Sequence, residues 1–129
     1  MYLSQPAFEA LVGQAVDGLP DWVHAHLDNV VILVQPEASA EQRRTSGTAP
    51  DYELLGLYEG VPLTQRGRGY QLVPPDRITL FQHPLERQSA REGSATSPEA
   101  LVQVIRRTIV HEIAHHFGFS EERLRDVGC

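Results

Sequence analysis

The stretch SPEALVQVIRRTIVHEIAHHFG, residues 97–118, decides how the chain is read. Ser97 is a helix-capping residue type. Pro98 suits the first helical turn, where its missing N–H has no partner to lose, and Glu99 complements the positive end of the helix dipole. No Gly or Pro interrupts the run up to Phe117, and Gly118 supplies a C-terminal stop. Such a helix spans about 30 Å. Leu101, Val104, Ile105, Thr108, Ile109 and Ile113 spread apolar contacts over much of its circumference, which predicts a central, mostly buried helix.

His111-Glu112-Ile113-Ala114-His115 lies inside that helix. Residues four apart share a face, so the two imidazoles can converge on one metal ion. Glu112 is rotated about 100° from His111. It stands beside such an ion, where a general base acting on metal-bound water belongs. Three imidazoles and a carboxylate within His111–His116 of an otherwise apolar helix would be costly without partners. A catalytic zinc site generally takes three protein ligands and leaves one position for water, so a third donor is needed. Gly118 can adopt a left-handed conformation and fold the chain back, bringing Glu121 within reach. Glu122, Asp126 or a donor elsewhere are the alternatives. His116, turned about 100° from His115, is read as a packing or supporting residue. His24, His26 and His83 are read as structural or surface residues.

Outward from this helix, Phe8, Leu11, Val12, Ala15, Val16 and Leu19 recur at helical spacing, predicting a first helix from about Pro6 to Gly18. Asp21 is placed to cap a short second helix carrying Trp22, Val23, His26 and Leu27. Val30–Val34 is an apolar, β-branched run and predicts a buried strand, apolar on both faces. Residues 35–50 read as a loop with a helical turn near Ala40–Arg44, and Leu54–Tyr58 as a short strand. A turn is expected through Gly60, Pro62, Gly67 and Gly69, then a strand over Ile78–Phe81. Residues 86–96 read as exposed and mobile, and Ser120 as the cap of a final short helix.

The chain has 129 residues and 14.4 kDa, the size of one domain. With 41% apolar and 22% charged residues, its composition excludes wholesale disorder. The net charge is −6 and every basic residue is Arg, a poor endowment for tracking nucleic-acid phosphates. No apolar run is long enough for a transmembrane helix, and Met1–Pro6 lacks the features of a signal peptide. The single cysteine, Cys129, cannot form an internal disulfide. A cytoplasmic location is expected, with no membrane or nucleic-acid partner.

The pattern His111-Glu112-x-x-His115-x-x-Gly118-x-x-Glu121 resembles the zincin metallopeptidases. It looks most like the metzincin arrangement, in which a Gly turn precedes the third ligand, with Glu here in place of His. The whole chain is also similar to a small bacterial family of zincin-like domains, through Val30–Val34, Gly56–Leu63 and His111–Leu124. The resemblance implies an α+β, minimal zincin fold over residues 1–129. In it a small mixed sheet packs with an N-terminal helix, the long metal-binding helix and a short C-terminal helix. The expected cofactor is one zinc ion per chain, held by His111, His115 and Glu121.

The expected reaction is peptide-bond hydrolysis, with Glu112 accepting the water proton and passing it to the leaving amine. Tyr58, Tyr70 and His116 are the candidates for stabilising the oxyanion, and Leu54–Glu59 for the sheet edge that pairs with a peptide. The methionine turn of metzincins has no counterpart, since the one Met is Met1. Eight residues follow Glu121, so the substrate-binding half is expected to be small or supplied by a protein partner. Two other readings are a metal-dependent endoribonuclease, against which Glu112 and the net charge argue, and a non-catalytic metal-binding or interaction module.

Overall fold

The computed structural model describes residues 2–49, 51–60, 75–93 and 97–118. Helix α1 (Gln5–Asp17) starts at Ser4, whose hydroxyl accepts the Ala7 N–H, with Pro6 in its first turn. Its buried positions, Phe8, Leu11, Val12 and Ala15, follow the helical period. In α2 (Asp21–His26) the N-cap is Pro20 rather than Asp21. Asp21 instead opens the helix, where its charge complements the dipole.

The remaining elements are β1 (Val30–Gln35), α3 (Ala40–Ser46), β2 (Gly56–Glu59), β3 (Asp76–Phe81), α4 (Gln82–Arg91) and α5 (Pro98–His116). The turn expected near Ala40–Arg44 extends into a full helix because both ends are fixed. Ser39 and Gln42 form a reciprocal capping box, and Gly47 ends the helix at φ 75°.

The three strands make a small mixed sheet in the order β1-β3-β2. β1 runs parallel to the central strand with Val30 opposite Asp76, and β2 antiparallel with Gly56 opposite Leu80. This α+β architecture is the expected one. β1, however, is an edge strand with only one covered face. Val30, Ile32 and Val34 pack on the core, whereas Val31 and Leu33 are 41% and 45% exposed. Strand preference depends on the neighbours a strand finds in the sheet, so an apolar run alone does not tell an edge from a centre. The centre is β3, where Ile78, Leu80 and Phe81 are fully buried.

Of the segment 86–96, expected to be exposed and mobile, residues 86–91 belong to α4, and 94–96 lie outside the described residues. The sequence of α4 is polar and only Gln82, Pro84, Leu85 and Ser89 are buried. Side-chain bonds to distant segments hold it instead. Arg87 donates to Glu37 at 2.9 Å and through Nε to Glu53 at 2.8 Å, and Arg91 donates to Glu53 at 3.0 Å. Glu86 accepts the Leu3 N–H, while the Leu3 carbonyl accepts from Gln82 Nε2. The expected C-terminal helix and the turn through Pro62, Gly67 and Gly69 lie outside the described residues.

α5 is the axis of the core, as its sequence predicts. Ser97 caps it by accepting the Ala100 N–H, and Ile105, Ile109 and Ile113 are fully buried. Arg106 reaches back to α1, donating to the Ala15 and Gln14 carbonyls at 3.1 and 3.3 Å, which also accept the Gly18 N–H at the helix end. β2 passes so close to α5 that a Cβ at Gly56 would meet Thr108 Cγ2 at 3.0 Å and the Thr79 carbonyl at 3.4 Å. Gly56→Ala is therefore expected to cost about 1–3 kcal/mol by overpacking. Gly13→Ala, in open space within α1, should gain up to about 1 kcal/mol. Urea unfolding of the two variants checks both signs, and an unchanged midpoint for Gly56→Ala would refute the close approach.

Candidate active site

The C-terminal half of α5 presents two flanks beside its buried face. Thr108, Glu112 and His116 form one row at four-residue intervals. A helix advances about 6 Å over four residues and a strand about 6.7 Å over two, so such a row can follow a strand residue for residue. It does so here. Thr108 faces Gly56, Glu112 faces Tyr58, and His116 lies beside Gly60, whose Cβ would sit 3.4 Å from the imidazole Cε1. His111 and His115 occupy the neighbouring flank, one turn apart, the first half-buried and the second exposed.

The Tyr58 backbone N–H donates to Glu112 Oε1 at 3.0 Å. The Leu55 carbonyl accepts the Phe81 N–H, which sets the alternation of the ladder: odd positions face β3, and the Tyr58 amide turns to the outer edge of β2. Glu112 thus sits at that edge. Burial pushes its carboxyl above the usual range, while the Tyr58 amide and the nearby His115 pull it back by less.

Tyr58 makes further contacts. Its hydroxyl donates to Asp76 Oδ2 at 2.7 Å, and its ring stacks on His116 with centroids 3.8 Å apart and planes 19° apart. Phe117 packs edge-on against His116 and also touches His26, whose Nδ1 donates to the Trp22 carbonyl at 2.8 Å. His83 stacks on Tyr2 and lies 3.3 Å from Glu37, and His24 is exposed. Asp76 and the Tyr58 amide had no sequence signal. Asp76 reads only as the residue before a strand, and a backbone donor is invisible in side-chain patterns.

Among the described residues no three His, Cys, Asp or Glu side chains gather as a metal site. Glu121, Glu122, Asp126 and Tyr70 lie outside those residues. The donors that are described suit zinc: two imidazoles on one flank of a helix open to solvent, with a carboxylate anchored beside them by a backbone amide.

A family model described as zincin-like metallopeptidase matches residues 27–129. The chain belongs to the zincin-like metallopeptidase family. A solved structure of a conserved hypothetical protein from Thermo thermophilus shares this fold, with a TM-score of 0.53. The two are 21% identical, and the match covers 89% of this chain and 94% of the other. No curated protein matches. The family carries a metallopeptidase-type function and implies zinc binding. Among the described residues of this zincin-like chain, no helix is long and apolar enough to cross a membrane.

The raised carboxyl of Glu112 has a consequence for stability. Below the ordinary carboxylate pKa it is protonated in both folded and unfolded chains, and it exerts no effect. As pH rises through the folded value, the unfolded chain releases this proton more readily, and stability is lost. Glu112→Gln keeps an acceptor for the Tyr58 amide and removes that loss. With a chelator present, the variant is expected to melt above the parent at pH 7, the gap closing below about pH 4. Parallel pH profiles for the two proteins would contradict the shift.

Proposed function

We propose that the protein hydrolyses peptide bonds, with a zinc ion held by His111, His115 and Glu121 and with Glu112 as general base. The observation that carries this reading is the hydrogen bond from the Tyr58 amide to Glu112. It sets the motif carboxylate at the outer edge of β2, the edge to which an extended peptide can add as a further strand. When bound, zinc would supply a water of lowered pKa and polarise the scissile carbonyl.

The residues of the chain itself divide the remaining work. Glu112, its carboxyl raised by burial, is suited to take a proton and return it to the leaving amine. Gly56 turns its backbone groups to the outer side of β2, where the substrate would be recognised through its main chain. The Tyr58 hydroxyl is engaged by Asp76, which leaves His116 and Tyr70 as the stronger oxyanion candidates. A net charge of −6 disfavours a polyanionic substrate. A protein partner that completes the cleft belongs to the same proposal.

Elemental mass spectrometry after dialysis against trace zinc is expected to give about one zinc per chain, lost in His115→Ala and kept in Glu112→Gln. Hydrolysis of an unfolded casein substrate should fall at least about 100-fold in Glu112→Gln. Undiminished turnover in that variant would refute the general base. Cleavage of RNA but not of casein would favour the endoribonuclease, and tight zinc without turnover the non-catalytic module.

A further inference from the structure

We infer that Tyr58 is the positioning residue of the site: it fixes the Glu112 carboxylate through its amide while its side chain locks β2 to both β3 and the last turn of α5. This rests on the reading of Glu112 as the base. Three contacts converge on the one residue, two of them to α5 and one to β3. The amide holds Glu112 at 3.0 Å, the hydroxyl bonds Asp76 at 2.7 Å, and the ring covers His116 with centroids 3.8 Å apart.

The geometry explains why side-chain contacts govern a backbone donor. β2 has only four residues, Gly56–Glu59, and pairs with β3 through the odd positions. The outward amide of residue 58 therefore points wherever the strand is rotated about its own axis. Tyr58 lies opposite Ile78, and its hydroxyl reaches diagonally to Asp76, two residues along β3. That bond and the stack on His116 resist rotation. The stack also bears on the turn of α5 that carries His115. Tyr58 thus acts on Glu112 and on the end of the metal-binding helix without itself touching substrate.

Amide hydrogen exchange on the isotope-labelled full chain, followed by NMR without metal, tests this directly. The residue 58 amide should be protected although it faces outward. Glu112→Ala should speed its exchange at least about tenfold while the Thr79 amide of β3 stays protected. Tyr58→Leu, which loses hydroxyl and stack, should do the same. Tyr58→Phe, which keeps the stack, should give a smaller increase, and Asp76→Asn, which keeps an acceptor, should leave the parent rate nearly intact. Equal exchange in parent and Glu112→Ala, or acceleration of Thr79 together with residue 58, would overturn the inference. If Tyr58→Leu fails to fold, Tyr58→Phe against Asp76→Asn still decides.

Cobalt(II) is the second probe. Its visible absorption in the loaded protein should shift in Tyr58→Leu and stay unchanged in Asp76→Asn. An unshifted spectrum in Tyr58→Leu would remove the effect on the end of α5. A parent that binds no cobalt would refute the metal-site reading, while the exchange result would judge the role of Tyr58 by itself.

Discussion

The structure depends on a match of two periods, four residues of helix against two residues of strand. Thr108, Glu112 and His116 on α5 lie along Gly56, Tyr58 and Gly60. The match holds only while the strand lies close against the helix. Gly56 permits this by having no Cβ to strike Thr108. A larger residue there would lift one end of β2 and carry the Tyr58 amide away from Glu112. The small residue at one end of the row and the aromatic stack at the other therefore serve one geometry: a carboxylate fixed at the outer edge of β2, the last strand of the sheet among the described residues.

The same type of side chain meets opposite environments elsewhere in the molecule. Bonds from Arg87 hold the Glu37 and Glu53 carboxyls below the usual range against an opposing effect of burial. These glutamates tie α4 to the end of β1 and to the segment before β2, a structural task that needs permanent charge. Glu112 is held by a neutral backbone amide instead, and burial dominates. Its proton is correspondingly easier to keep and return. The separation of roles follows from where the arginines sit, with Arg106 spent on the end of α1 and Arg107 paired with Glu92.

The legibility of these features in the sequence varied with how local their causes are. α5 was readable from Ser97 to Gly118 because its cap, its period and its stop are written within the segment, and its histidine spacing came with it. α1 was readable from its period for the same reason, while its cap, Ser4, was not singled out. β1 was recognisable as a strand but not as an edge, since edge or centre depends on β3, far along the chain. α4 was missed because its stabilising partners are Leu3, Glu37 and Glu53. At the site, the motif residues were visible and their anchor was not. The amide of Tyr58 becomes meaningful only once β2 is laid along α5.

The place of α5 in the order of synthesis shapes how the chain comes to fold. The strands β1, β2 and β3 all precede it, and the parallel pairing of β1 with β3 spans both α3 and β2. Long-range pairing of that kind closes slowly. A nascent chain therefore carries the apolar run Val30–Val34, uncharged along its length, before all of the core against which one of its faces packs has emerged. The other face stays uncovered at Val31 and Leu33 even in the finished fold. An apolar strand edge that waits for its core is the kind of surface through which partly folded chains misassociate.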